Sequence, residues 1–541
     1  MAGGKHWPIA RQGLIYLFMG LASLIVFFTF FKVFYPYHLK LPIGCDEFGY
    51  LYMAKGIDQG KLFQSPTSRP FDPGLTNALK KSSFSFNGYT HVISPHAYHL
   101  DRATFKLINQ YPPGTSLLLS LAPWQAAKRW GPAIFAFFSL VFLALAISLQ
   151  EGRLSFFGSG LAVLIMTLLM MVGPFRSSFK EITSLAPTFG LLIGAGFLLD
   201  KKPGVSLLYL GLSTIFRVTG AILVLPFLVL YVLHESGMRI WSGAALRRAI
   251  KGGFLFISGG LWLYALYVWI LLGNPFRPTY SFIDTVLTLR GFLSRAVFFF
   301  NLHQPWFIVH LATLALITLA VVLWKLPMKW AALAWGLAAY NYFFFLVHDV
   351  HMDYYPYASA MILAGLALAL ILPKLRASKF AWVVPVAAIA ALILMVRFTT
   401  HKYPHHDLNA VYAANIKAYS DCFSKYDVVW GELRTGTVEY ATGKAGFRYA
   451  WGTDRVRRAT MEWLRGHGFA QAIWVSDLPL KQEDIEGELQ KFRLSYTTLE
   501  CPGLGTILEI EPRQHPRKMS RLSAQETSTP GAVPRGRPAA R

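Results

Sequence analysis

Residues 44–55 read Gly-Cys-Asp-Glu-Phe-Gly-Tyr-Leu-Tyr-Met-Ala-Lys and follow closely on the first long apolar segment, residues 13–35. That segment is long enough to cross a bilayer. Its flanks Lys5 and Arg11 favour a cytoplasmic start by the positive-inside rule, which brings the acidic pair Asp46 and Glu47 out on the far side. It carries no small-residue cleavage site after its apolar core and reads as a retained anchor rather than a cleaved signal. Acids held at a membrane face beside an amphipathic stretch are costly to desolvate, which marks the pair as a candidate active site. Two ordinary acids on a hydrated loop are the alternative.

The rest of the chain agrees with a membrane setting. Its 541 residues are 54% hydrophobic and 15% charged, with a mean hydropathy of +0.40, and its apolar runs exceed what a globular core accommodates. The formal net charge of +24 raises the question of nucleic acid. The basic residues, however, sit mainly in short loops between apolar runs and in the tail, as membrane topology distributes them, so no nucleic-acid partner is expected. Three cysteines, none in a Cys-x-x-Cys pair, exclude a zinc ribbon or a disulfide framework. Cys422 and Cys501 both fall in the polar C-terminal region, where an oxidising exterior would join them; two free thiols are the other reading.

Apolar runs near 13–35, 131–149, 155–173, 184–199, 204–216, 219–233, 253–272, 305–324, 330–347, 355–372 and 380–397 predict about eleven membrane helices. The loops that this count makes cytoplasmic carry Arg153, Lys201, Lys202, Arg239, Arg247, Arg248, Lys251, Lys325, Lys329, Lys374, Arg376 and Lys379, a one-sided basic bias that supports it. Residues 111–124, Tyr-Pro-Pro-Gly-Thr-Ser-Leu-Leu-Leu-Ser-Leu-Ala-Pro-Trp, are apolar but too short to cross and read as a helix lying at the interface. Four irregular stretches, 36–110, 174–183, 274–304 and 348–354, then share the outer face. The expected architecture is a polytopic α-helical membrane domain over 1–399 with a large first outer loop at 36–110. An extracytoplasmic α/β domain follows over 400–512. Within it 427–430, 472–475 and 506–510 read as strands and 455–467 as an amphipathic helix. The tail 513–541, with seven basic residues against Glu526, reads as disordered.

Three features in this order, the large first outer loop with its acidic pair, the stretch opening Tyr-Pro-Pro-Gly, and the loop Gly273-Asn274-Pro275-Phe276-Arg277-Pro278-Thr279-Tyr280, resemble the GT-C superfamily of membrane glycosyltransferases. The resemblance covers roughly residues 13–400. It is nearest to the branch that holds protein O-mannosyltransferases and the aminoarabinose transferase of lipid A. It implies a bacterial inner-membrane enzyme whose donor is a sugar on a polyprenyl phosphate and whose acceptor, a lipid, a glycan or a protein, lies outside the cytoplasm. In that branch an aspartate of the first outer loop acts on the acceptor, and the matching position is Asp46, with Glu47 beside it.

Transfer to a hydroxyl needs a base near the incoming nucleophile, and a carboxylate with an unperturbed pKa of about 4 is ionised at neutral pH. Attack opposite the phosphate would invert the anomeric centre, and a phosphate leaves without protonation, so one acid suffices. The leaving phosphate needs fixed cations, for which Arg176, Lys180, Arg277, His348 and His351 are candidates, with binding of lipid headgroups as the bland reading for the first three. Arg217 lies between two short apolar runs and either snorkels to the interface or faces the cavity. Glu181, Tyr111 and Tyr280 complete the substrate-binding candidates. The run His348-Asp349-Val350-His351-Met352-Asp353 has the composition of a divalent-metal site, but the polyprenyl-monophosphate branch resembles metal-independent enzymes, so no metal or other cofactor is expected. The stretch Tyr354–Tyr357 reads as an interface marker rather than a sugar platform. In the C-terminal region Gly431–Gly436 is a glycine-flanked turn that lacks the ending of a phosphate loop, and the domain either grips an acceptor or caps the cavity. A transporter or lipid flippase is the rival class; it would place ionisable groups near the midplane and show paired repeats. A non-enzymatic scaffold is the third.

Overall fold

In the computed structural model the described residues are 17, 21, 24–25, 41–42, 45–60, 74–81, 92–95, 97–101, 107–152, 156–171, 178, 182–236, 243–276, 279, 288–347, 356–378, 382–402 and 408–512. They form a helical bundle followed by a mixed α/β unit, the polytopic class that the sequence implies. Of the first apolar run only Leu17, Leu21, Leu24 and Ile25 are described; they are helical and exposed. The first outer stretch contributes α1 (Cys45–Asp58), α2 (Gly74–Lys81) and the antiparallel pair β1 (Tyr98–Leu100) and β2 (Leu107–Asn109). A short α3 (Gly114–Leu119) leads into the bundle. The bundle runs through α4 (Trp124–Glu151), α5 (Phe156–Met171), α6 (Leu185–Leu198), α7 (Pro203–Ser213), α8 (Thr219–Ile222), α9 (Val224–Ser236), α10 (Gly243–Phe256) and, after a π-helical turn, α11 (Trp262–Leu272). It continues with α12 (Leu289–Phe299), α13 (Pro305–Leu323), α14 (Lys329–Val347), α15 (Tyr357–Ala377) and α16 (Val383–Lys402).

Among the described residues, five helical stretches are long and apolar enough to cross a membrane: Trp130–Glu151, Gly243–Leu272, Pro305–Leu323, Lys329–Val347 and Tyr357–Ala377. Phe157–Met171, Leu185–Leu198 and Pro203–Ser213 are shorter apolar helices. Two expectations change. Residues 111–124 are not one interfacial helix: α3 covers only Gly114–Leu119, with Gly114, Thr115, Ser116 and Leu119 buried, and α4 begins at Trp124. Residues 274–304 are not wholly irregular, because α12 forms there, its Thr288 hydroxyl accepting from Gly291 N at 3.1 Å as a helix cap.

The whole of α6 is buried between α4, α7 and α15. A helix that is apolar all round belongs inside such a packing, and its small residues let neighbouring backbones approach. The contact with α15 is reciprocal: a Cβ on Gly196 would run into the Ile362 carbonyl, and one on Gly365 into the Ile193 carbonyl. Gly365→Ala is therefore expected to overpack this crossing and destabilise the bundle by about 1–3 kcal/mol. Thermal unfolding of the detergent-solubilised protein measures it, and an unchanged midpoint would show that the crossing is slack.

Beyond α17 (Leu408–Phe423) the chain alternates β3 (Val428–Gly431), α18 (Thr435–Thr442), β4 (Ala445–Arg448), α19 (Asp454–Gly466), β5 (Gln471–Trp474), α20 (Gln482–Lys491), β6 (Tyr496–Cys501) and β7 (Gly505–Ile510). The sheet order is β4-β3-β5-β7-β6, with β3 parallel to β4 and β5, and β7 antiparallel to β5 and β6. Trp430 and Trp474 are fully buried in its core. Cys422 and Cys501 are joined, their Cα atoms 6.0 Å apart across a separation of 79 residues, which ties the end of α17 to β6. The tail from residue 513 lies outside the described residues.

Candidate active site

The acidic pair opens α1, where the helix dipole favours negative charge in the first turn. The two acids occupy different surroundings. Glu47 is buried and pairs with Lys128 of α4, Oε2 to Nζ 3.2 Å, with side-chain exposures of 5% and 2%. Asp46 is the half-buried member. Adjacent carboxylates thus differ in depth, Glu47 lying buried against Lys128 of α4 and Asp46 nearer the surface.

Beneath the pair, α1 rests on the Tyr111 stretch. The Tyr111 ring lies 4.9 Å from that of Tyr50, and a Cβ on Gly49 would come within 2.7 Å of it. Asn109 fixes the turn by accepting from Tyr111 N at 2.9 Å and donating to Gly49 O at 2.6 Å. Ser116 Oγ donates to Tyr50 O at 2.9 Å. The glycine of Tyr-Pro-Pro-Gly has its own reason: Gly114 N donates to Ile215 O at 2.7 Å, and a Cβ there would sit 2.6 Å from the same oxygen.

That carbonyl belongs to the turn carrying Arg217, between α7 and α8. Arg217 is buried, donates from Nη1 to Ser184 Oγ at 2.8 Å, and holds its guanidinium 5.9 Å from the centre of the Tyr357 ring. Arg217 is therefore packed within the bundle. Phe216 packs on Phe138 of α4 at 5.2 Å, which places this turn roughly 15 Å along the helix from Lys128 at 1.5 Å per residue. A carboxylate pair at one level and a buried guanidinium below it are therefore linked through α3.

Arg176, Lys180, Glu181, Arg277, Tyr280, His348 and His351 lie outside the described residues, as does the whole 348–353 run. Their flanks are placed. Thr279 Oγ1 donates to Gln110 O at 2.9 Å, and Tyr267 OH donates to Tyr111 O at 3.2 Å, which ties Thr279 and α11 to the Tyr111 stretch. Ile182 reaches the position a Cβ on Gly131 would occupy, at 3.0 Å, beside the Lys128 end of α4. Among the described residues no three His, Cys, Asp or Glu side chains group as metal ligands.

Lys128 escaped the reading of the sequence. Its signal was a basic residue at the outer end of a span, against the positive-inside bias, which asks for a local partner.

The C-terminal unit closes over α1. A Cβ on Gly436 of α18 would collide with the Phe48 ring, Thr437 Oγ1 donates to Pro42 O, and Tyr52 OH donates to Glu439 Oε1 at 3.4 Å. Arg448 donates to Tyr98 O at 2.9 Å and to Ser94 O at 3.3 Å. Where β3 and β5 end, Asp477 accepts from Glu432 N at 2.7 Å and from Arg434 N at 3.0 Å. Burial pushes the Asp477 carboxyl up from 3.8 to about 6, with those N–H groups and the Arg434 guanidinium opposing. A carboxyl with a raised folded pKa holds its proton more tightly when folded, so stability falls as pH rises from about 4 to about 6 and the loss, up to about 3 kcal/mol, is complete above that. Asp477→Asn is expected to flatten this slope in the hydrogen exchange of β3 and β5, after correction for intrinsic rates. The same slope in the variant would assign it to another group.

No protein-family model matches the chain, and neither does any curated protein. Among solved structures the chain is similar to ArnT from Cupriavidus metallidurans bound to undecaprenyl phosphate, at 13% identity and a TM-score of 0.47, over 92% of this chain and 98% of that one. It is similar also to the apo state of the same ArnT, at 11% identity and a TM-score of 0.47, over 93% of this chain and 98% of that one.

Proposed function

We propose that the chain is an integral membrane glycosyltransferase of the bacterial inner membrane that moves a sugar from a polyprenyl phosphate to an extracytoplasmic acceptor. The observation that carries this reading is the half-buried Asp46 beside the buried Glu47–Lys128 pair, roofed by the C-terminal unit and connected below, through α3, to the buried Arg217. The opposite end of α4 carries the Arg376–Glu151 pair, 3.3 Å, among the basic loops, and the positive-inside rule makes that end cytoplasmic. The acidic pair then faces out. Asp46 takes the proton of the acceptor hydroxyl as the oxygen attacks the anomeric carbon, and the carbon–oxygen bond to the lipid phosphate breaks on the opposite face. The phosphate leaves as an anion, stabilised by the guanidinium of Arg217 and by cations of the later outer loops.

The test is equilibrium binding of a short-chain polyprenyl phosphate to the full protein in nanodiscs. Loss of a charge-assisted hydrogen bond in a partly dry site costs about 1.5–3 kcal/mol, so Arg217→Ala is expected to weaken binding about 10-fold to 100-fold. Arg217→Lys, which keeps the charge and loses the planar fork, should fall between. Wild-type affinity in a well-folded Arg217→Ala protein would place the donor elsewhere.

A further inference from the structure

Among the described residues of the C-terminal unit, Leu433 and Trp451 are the large apolar side chains that stand out as exposed, at 55% and 41%. They lie together. Leu433 follows Glu432, whose carboxylate accepts from the Trp451 indole N–H and from Ala450 N at 3.3 Å. The Arg448 guanidinium covers the Trp451 ring at 4.8 Å from its centre. Trp451 is thus fixed through its indole N–H and its contact with Arg448 while remaining an exposed residue. A fixed, exposed indole has little entropy left to lose on binding, so the cost of ordering it has been met by the fold.

The place matters as much as the ring. Glu432, Trp451 and Asp477 follow the carboxyl ends of the three parallel strands β3, β4 and β5. The chain leaves β3 for β4 on one side and leaves β5 for β6, which lies beyond β7, on the other, so the crevice between β3 and β5 is the point where open α/β sheets bind ligands. An anion is not the natural occupant here. The backbone N–H groups of Glu432 and Arg434 that would cradle one already donate to the Asp477 carboxylate. With Glu432 and Asp477 set against Arg434 and Arg448, the patch is close to neutral overall. The same edge faces the first outer stretch: a Cβ on Gly452 would meet Val92 at 2.5 Å, and Arg448 binds the backbone of Ser94 and Tyr98.

We infer that Trp451, Leu433 and Glu432 form a subsite for a neutral pyranose of the acceptor glycan, at the seam between the C-terminal unit and the α1 loop. The inference rests on the glycosyl-transfer reading above. An indole face receives the apolar C–H face of a sugar, and the neighbouring carboxylate accepts from its hydroxyls.

Saturation-transfer NMR with cellotriose, a sugar whose hydroxyls are equatorial, tests this on the full chain in deuterated nanodiscs. Transfer to the sugar ring protons is expected with the wild type, about 10-fold weaker with Trp451→Ala, partly kept with Trp451→Phe, and reduced with Leu433→Ser. No transfer with the wild type, or equal transfer with Trp451→Ala, would overturn the inference. So would quenching of tryptophan fluorescence by brominated phosphatidylcholine that drops on Trp451→Ala, since the ring would then be a membrane anchor. Polyprenyl phosphate binding, measured on the same samples, separates the two readings. A cellotriose signal without donor binding in the wild type sinks the transferase and leaves the glycan subsite, whereas donor binding with no Trp451 dependence of the sugar signal does the reverse.

Discussion

Asp46→Asn is expected to lower sugar transfer by about 10²-fold to 10⁴-fold, the range for loss of a general base, while the protein still folds and binds polyprenyl phosphate. The substitution keeps the shape of the side chain and removes the charge that accepts the proton. Because asparagine is nearly the same size and can still accept hydrogen bonds in the first turn of α1, the fold is expected to survive the change. The contrast with Glu47 gives the test its resolution. If Asp46→Asn turned over like the wild type, the base would have to be sought elsewhere or the enzyme reading dropped. If it failed to fold, the structural account of α1 would be at fault. Transfer assayed from a polyprenyl-phosphate sugar, together with the unfolding midpoint, distinguishes these cases.

Lys128→Met should have the largest effect on stability, about 3–5 kcal/mol, because it strands the buried Glu47 carboxylate without its ammonium partner. The double variant Glu47→Gln/Lys128→Met removes both charges together and is expected to recover much of that loss, since a buried ion pair gains little over a neutral pair of similar volume once desolvation is counted. Activity need not follow stability. The α1 helix carries Asp46, and its seat on α4 is set in part by this pair, so the double variant is expected to remain stable yet slow. Thermal unfolding of the wild type, Glu47→Gln, Lys128→Met and the double variant in one detergent decides it: additive effects of the single variants, with no rescue in the double, would show that the two groups are not coupled.

Much of this was legible along the chain. Apolar runs separated by basic loops announce a bundle, because a bilayer imposes one length and one sign of charge on every crossing. Strands near 427–430 and 472–475 and the helix near 455–467 appear close to where alternation and amphipathic spacing put them. The pairing of Cys422 with Cys501 was readable from where the two sulfurs fall. Short elements were not readable: Ala445–Arg448 has little β signal of its own and becomes a strand by pairing with β3. The apolar stretch after Tyr111 looked interfacial because its composition is the same whether it faces lipid or protein, and only the contacts of Gly114 with Ile215 and of Ser116 with Tyr50 bring it inside. Asp46 stands out as a candidate from its position after the first apolar run, since a charge beside a membrane is conspicuous in one dimension. The difference in setting between Asp46 and Glu47 could not be read there, because an ion pair and a burial depend on what the fold brings from elsewhere, and Lys128 and α18 arrive at α1 only through tertiary packing.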